Sequence, residues 1–171
     1  MSRSVGRTGC GNDPDNPECH CRRRGIAGEP EHHCEDVHLE RRPTDFKPTS
    51  VSDLATWYKS LLESSEARAW VAEQDGLPVG YVLALVNRRG NNPFCPARQW
   101  WEIDQIAVDP RFRRRGIGRA LILRAIAEAK TLGIADVEAQ SWSFNQETHQ
   151  MLRDVGFVPK TVRFELRPPR E

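Results

Sequence analysis

The sequence lacks a long apolar run. Its longest strongly apolar stretch covers residues 79–86 of the 171, whereas a transmembrane helix needs about 20 consecutive apolar residues. Residues 1–10 contain no apolar segment of the kind that a secretory signal requires. We therefore predict a cytoplasmic protein with reduced cysteines and no membrane partner.

A strong excess of charge is also missing. The 25 Lys and Arg residues nearly balance the 24 Asp and Glu residues, and the net charge at pH 7 is +1. Such a chain has no overall field that would attract nucleic acid, so we expect no nucleic-acid partner. The arginine-rich residues 111–119 leave a local nucleic-acid patch as an alternative, which predicts a steep salt dependence of DNA affinity.

Large apolar residues are scarce before residue 37. Residues 1–36 cannot form a core, and we predict that this segment is irregular and disordered. It holds four of the five cysteines, Cys10, Cys19, Cys21 and Cys34, but their spacing differs from the closely spaced pairs of zinc sites. We predict no metal, and a zinc site is the alternative. A shifted reading frame upstream of His38 is an alternative origin for the segment itself.

Residues 37–167 have the periodic patterns of one folded domain. Helical spacing occurs at residues 54–62 and 116–132 and between Asn145 and Gly156, and strands are predicted at 69–73, 79–86, 100–108, 135–139 and 162–166. Asp75-Gly76 is a hairpin turn signal, so neighbouring strands are antiparallel. The predicted fold class is α/β (α+β), with a mixed, mostly antiparallel central sheet flanked by helices.

Two glycines, Gly116 and Gly118, stand where a strand gives way to a helix. The first N–H groups of a helix have no intrahelical acceptor, and the helix dipole adds positive charge there. Such a terminus binds phosphate groups, and glycine allows close approach of a ligand. The Lys-Ser/Thr ending of a nucleotide-binding P-loop is absent, as is the Gly-x-Gly-x-x-Gly order, so ATP and NAD are not expected.

This stretch resembles the GNAT superfamily of acetyl-CoA-dependent N-acetyltransferases. Arg113-x-x-Gly116-x-Gly118 matches the Gln/Arg-x-x-Gly-x-Gly/Ala signature of that family, and Asn145 to Gly156-Phe157 follows at the family's spacing. The resemblance implies a GNAT-like domain that takes acetyl-CoA as co-substrate and needs no metal. The acceptor would be a small-molecule amine or a protein amino group, and a homodimer would be typical of the family.

The resemblance also implies which residues bind the coenzyme. Main-chain groups of Ile106, Ala107 and Val108 would pair with the pantetheine arm, and Asn145 would form a hydrogen bond with it. The pyrophosphate would be bound around the helix start, by Arg113, Arg114, Arg115, Gly116, Ile117, Gly118 and Arg119.

Amine acylation needs a base, because an alkylamine with a pKa of roughly 10 is mostly protonated at neutral pH. In several family members the base aligns with Glu102, so we predict Glu102 first and Asp104 second. If no bulge interrupts the strand, alternation places Glu102 and Asp104 on one face together with Ile106 and Val108.

One position departs from the family pattern. Many members have a Tyr that protonates the leaving thiolate, and here Leu152 occupies that position. The role would then be empty or taken by His149 or water. A second reading is therefore an acyl-CoA-binding module without turnover.

Overall fold

The computed structural model describes residues 34–166, with side chains from residue 38 onward. The elements are α1 (Cys34–Arg41), α2 (Val51–Glu63), β1 (Ala67–Gln74), β2 (Leu77–Arg89), β3 (Arg98–Val108), a 3-10 turn (Pro110–Phe112), α3 (Ile117–Thr131), β4 (Val137–Ala139) and α4 (Gln146–Val155). The chain divides after Gln140 into two compact units. The first unit contains all four strands, and the second contains α4.

The sheet has the order β1-β2-β3-β4. The first three strands are antiparallel, and β4 runs parallel to β3. Asp75 and Gly76 connect β1 to β2 with positive φ angles of 52° and 79°, as a tight hairpin turn of the primed type requires. The predicted turn and the mixed, mostly antiparallel sheet are both confirmed.

Helix α3 packs on one face of this sheet and contacts β1, β2 and β3. Its buried residues are Ile117, Leu121, Ile122, Ala125 and Ala129. Across from them lie Trp70 and the fully buried Trp101, whose ring centroids are 6.4 Å apart in an edge-on arrangement. Each large apolar side chain buried here contributes about 1.5–3 kcal/mol to the stability of the fold. This packing fixes the position of the end of β3 relative to the start of α3.

Helix α2 lies against the opposite face. Its N-cap, Ser50, accepts a hydrogen bond from the Asp53 N–H at 3.1 Å. One turn further, Tyr58 reaches Tyr81 of β2. Side chains alternate along a strand, so Tyr81 points away from the face on which Val82 packs with Trp70.

Two predictions about the ends of the chain need correction. Helix α1 begins at Cys34, so the last three residues of the segment predicted to be irregular are helical, and residues 1–33 lie outside the described residues. The strand predicted at 162–166 is wrong, because residues 157–166 have no regular secondary structure. Alternating apolar residues need a neighbouring strand to bond their main chain, and in the described chain none pairs with this segment.

Candidate functional site

The turn that precedes α3 depends on two left-handed residues. Arg114 has a φ of 63°, and Gly116, the N-cap of α3, has a φ of 82°. A Cβ at Gly116 would meet no atom within 4 Å, so glycine is favoured here by backbone conformation rather than by lack of space. The turn redirects the chain from the end of β3 into the helix.

This turn leaves main-chain donors exposed. Within residues 34–166, the N–H groups of residues 116–119 donate to no main-chain carbonyl, while the carbonyl of Gly116 accepts from Ala120 at 2.9 Å. No side chain caps the helix start. Gly116 is exposed and Gly118 is half-buried. The predicted phosphate-binding residues therefore present a set of unpaired donors at the positive end of a helix dipole.

The arginines around this turn divide into two groups. Arg113 donates to the Val108 carbonyl at 3.2 Å, and Arg115 donates to the Arg111 carbonyl at 3.4 Å. These two stabilise the turn itself. Arg114 and Arg119 are exposed and have no partner among the described residues, so their guanidinium groups are open to an anion.

Arg111 has a local partner of its own. It pairs with Asp109 at 2.7 Å. The hydrogen bond from Arg111 lowers the pKa of the Asp109 carboxyl. Because this carboxylate neutralises Arg111, the anion-binding charge of the turn comes from the other arginines.

Strands β3 and β4 separate before the turn. They pair only at Trp101–Val137, Glu102–Glu138 and Ile103–Ala139. Beyond this point the β4-facing edge of residues 104–108 pairs with no strand of the described chain. Main-chain groups of Ile106 and Val108 point to that edge and can bond an extended ligand, except the Val108 carbonyl, which accepts from Arg113. The Ala107 carbonyl points to Gly80 of β2 instead.

A β-bulge at Asp104 corrects the predicted arrangement of β3. Ile103 pairs with Ala84 and Gln105 pairs with Leu83, so Asp104 is the extra residue. Directly paired residues share a face. Glu102 therefore lies on the same face as Gln105, whereas Ile106 and Val108, which pair with Val82 and Gly80, lie on the other. The prediction that Glu102, Asp104, Ile106 and Val108 share one face is wrong.

Glu102 is half-buried and held by two donors. Asn87 Nδ2 donates to Glu102 Oε2 at 2.6 Å, and Trp100 Nε1 donates to the same oxygen at 3.3 Å. A carboxylate held in this way keeps a defined orientation while its other oxygen stays available. This geometry suits a proton acceptor.

Asp104 has a different environment. The residue is exposed, but protein atoms partly surround its carboxyl group, and this desolvation raises its pKa; a hydrogen bond with Gln105 acts in the opposite direction. A raised pKa makes a carboxylate a stronger base. The structure therefore keeps both predicted carboxylates as candidates, in separate positions on β3.

The sequence analysis missed a polar network beside them. Tyr58 donates to Gln105 Oε1 at 2.5 Å and Tyr81 donates to the same oxygen at 3.2 Å. The bulge brings Gln105 to this face, and α2 supplies Tyr58. The helical spacing of Tyr58 suggested only an apolar contact, so no signal in the sequence pointed to its hydroxyl.

The second unit carries the other two residues of interest. Asn145 is the N-cap of α4, but its side chain makes no capping hydrogen bond. Its carbonyl accepts from His149 N at 3.1 Å. Leu152 is half-buried, and its carbonyl accepts from Phe157 N at 2.9 Å next to Gly156, which ends the helix with a φ of 106°.

The model of the GNAT family of acetyltransferases matches residues 32–157. The chain belongs to this family. The assignment agrees with the resemblance carried by Arg113-x-x-Gly116-x-Gly118, which lies within the matched residues. Predictions about Cys10, Cys19 and Cys21 lie outside the described residues, and within residues 34–166 no cluster of three or more His, Cys, Asp or Glu residues could hold a metal.

Two curated relatives are N-acetyltransferases by name. The chain is 39% identical over 109 residues to an uncharacterized N-acetyltransferase, MJ1207, of Methanocaldococcus jannaschii, a match that covers 63% of this chain and 47% of the relative. It is 35% identical over 63 residues to the ribosomal protein bS18-alanine N-acetyltransferase of Salmonella typhimurium, covering 37% of this chain and 43% of the relative. The chain thus spans less than half the length of these relatives.

Solved structures share the fold. The aminoglycoside N-acetyltransferase AAC(6')-Iy, solved in complex with CoA, aligns with a TM-score of 0.61 at 17% identity, covering 78% of this chain and 85% of that one. At this identity the likeness concerns the fold alone. Among the helices of residues 34–166, none has both the length and the apolar character needed to cross a membrane.

Proposed function

We propose that this protein transfers an acetyl group from acetyl-CoA to a primary amine, by direct attack within a ternary complex. The acceptor is a small molecule or a protein amino group. The observation that carries the proposal is the set of unpaired N–H groups at residues 116–119, next to the unpaired edge of β3. Membership of the GNAT family supports the same activity.

The turn before α3 fits the coenzyme pyrophosphate. Main-chain donors at a helix start favour anions through both hydrogen bonds and the dipole. Arg114 and Arg119 would add charge-assisted contacts, while Arg113 and Arg115 keep the turn in shape. The pantetheine arm would bond the free edge of Ile106, Ala107 and Val108 in the manner of an added strand, and Asn145 would contribute an amide contact.

Glu102 is our first choice for the general base. The neutral amine attacks the thioester carbonyl, a C–N bond forms and the C–S bond breaks. The proton leaves the amine for Glu102, directly or through a water molecule. Asp104 is the second choice, because its raised pKa favours proton acceptance. A main-chain N–H near Ile106 or Val108 would stabilise the oxyanion.

The leaving group needs no Tyr in this scheme. Leu152 cannot donate a proton, but a thiol with a pKa of about 8.5 is a tolerable leaving group as the thiolate. Water or His149 can then return the proton. We expect turnover to be slower than with a positioned acid.

The acceptor class rests on the relatives. One is named for an alanine of ribosomal protein bS18 and a structural neighbour is named for aminoglycosides, and both kinds of acceptor offer an amine. For this chain we propose a primary amine as the acceptor. Cytoplasmic location and a homodimer stay predictions from the sequence and the family.

The experiment pairs an acetyl-CoA binding titration with thiol release across a panel of primary amines. Binding with turnover on at least one amine supports the proposal. Binding without turnover on any amine, including N-terminal alanine peptides and aminoglycosides, would favour an acyl-CoA-binding module. Absence of acetyl-CoA binding would refute both.

A further inference from the structure

The face of the sheet that carries Glu102 also carries the donors that hold it. Glu102 pairs with Leu85 across β2 and β3. Asn87 lies two residues further along β2, so it shares that face and is the diagonal neighbour of Glu102. Trp100 precedes Glu102 by two residues on β3 and lies on the same face. This placement brings both donors to one carboxylate without any loop.

Both donors bind the same oxygen. Asn87 and Trp100 each reach Oε2, at 2.6 and 3.3 Å, and no donor among residues 34–166 reaches Oε1. The shorter bond makes Asn87 the main anchor. A carboxylate with one oxygen tied and the other open has a fixed direction for accepting a proton.

The second anchor is itself held in place. The Arg98 guanidinium lies 5.0 Å from the centre of a Trp100 ring. Arg98 in turn bonds Asp136 at 2.9 Å and also bonds Glu138 of β4. These bonds join β3 to the region of β4 and keep the Trp100 indole oriented toward Glu102.

No charged neighbour in the described chain holds Glu102. Strand register places Tyr81, Arg89, Arg98 and Glu138 on the same face as Glu102, and α2 brings Tyr58 to it. Arg98 and Glu138 pair with each other, Arg89 donates to the Pro96 carbonyl, and the tyrosines donate to Gln105. Within the described part of the chain, Asn87 and Trp100 are thus the side chains that bond Glu102.

We propose that Asn87, assisted by Trp100, is a positioning residue that orients Glu102 for proton transfer, with Oε2 anchored and Oε1 facing the amine. This inference rests on the proposed function, in which Glu102 accepts the amine proton. The anchors fix the direction in which Glu102 accepts the proton.

Two variants at Asn87 separate positioning from packing. Asn87→Asp keeps the shape and removes the donor while adding a like charge, and Asn87→Leu removes the donor alone. Gln99→Leu is the matched control, because Gln99 is an exposed amide on β3 that points to the opposite face. The readouts are kcat and KM for the amine, the acetyl-CoA Kd and thermal unfolding.

We expect kcat to fall about tenfold or more in Asn87→Leu, as for loss of a hydrogen bond to a charged group, and further in Asn87→Asp, where the added charge repels Glu102. The KM for the amine should not change, because neither variant removes a contact with the substrate. The acetyl-CoA Kd should not change, and Gln99→Leu should resemble the unmodified protein. A purely structural role predicts the reverse order, with the isosteric Asn87→Asp the milder variant.

Failure of this inference differs from failure of the proposed function. If the unmodified protein turns over amines but kcat is unchanged in both Asn87 variants, Asn87 does not position the base. If the unmodified protein turns over no amine, both the proposed function and this inference fall. Trp100→Phe, which removes the weaker donor and keeps an aromatic ring, should give a smaller fall in kcat.

Discussion

Gly80 offers a prediction in which the sign of a stability change is decisive. It faces Val108 across β2 and β3. A Cβ at this position would lie 2.7 Å from the Ala107 carbonyl oxygen and 3.3 Å from the Val108 Cα. Both atoms belong to the main chain of β3, so neither can move unless the strand moves. We expect Gly80→Ala to push apart the two strands at the end of β3.

The expected magnitude follows from two opposing effects. Replacing glycine by alanine at a compatible position stabilises a protein by about 0.4–1 kcal/mol, because the unfolded chain loses freedom. Forcing an extra methyl group into a filled space costs about 1–3 kcal/mol. The clash should therefore prevail, with a net loss of about 1–2 kcal/mol and a fall in Tm of about 2–8 °C for a chain of this size.

The assay compares Gly80→Ala with Gly90→Ala by thermal or urea unfolding. A Cβ at Gly90 would meet no atom within 4 Å, so this control should be neutral or slightly more stable. Acetyl-CoA affinity should also fall in Gly80→Ala, because the displaced strand end carries residues 106–108. Equal stability of the two variants would show that β2 and β3 are not as close as described.

Three further predictions concern the site. Gly118→Glu should abolish acetyl-CoA binding without lowering Tm, since an acidic residue near a helix start is favourable, while Gly90→Glu should bind normally; unchanged affinity in Gly118→Glu would refute the phosphate site. Glu102→Gln should lower kcat/KM about 100-fold or more, most at low pH where the amine is charged, and unaltered kinetics across pH would pass the role to Asp104 or to no side chain. Asp104→Asn should raise the free energy of unfolding at pH 7, because desolvation raises the folded-state pKa of Asp104 and its ionised form destabilises the fold; this gain should disappear as the pH falls below about 3.9, the ordinary pKa of Asp, and a constant difference across pH would contradict it.

The parts of the fold that depend on local chemistry were predictable. Asp75-Gly76 specifies a hairpin because both residues tolerate positive φ. Gly116 specifies the turn before α3 for the same reason, and the apolar spacing that follows it identifies the buried stripe of that helix. Each of these signals lies within a few residues of the structure that it determines.

The parts that depend on pairing were not predictable. The bulge at Asp104 arises from the register of β3 against β2, and residues 102–108 read equally well as an uninterrupted strand. The contact between Asn87 and Glu102 depends on the same register. Val162 and Phe164 show the opposite case, because their alternation is typical of a strand, yet they are exposed and the segment is irregular.

The extra residue in β3 has a consequence for how this strand tolerates deletions. Asp104 faces no partner on β2, so its removal would close the ladder while the side chains on either side keep their present faces. A deletion nearer either end of β3 would leave the bulge in place and put the residues beyond the deletion out of register with β2. A deletion scan along β3 should thus find its most permissive point in the middle of the strand, next to the proposed base.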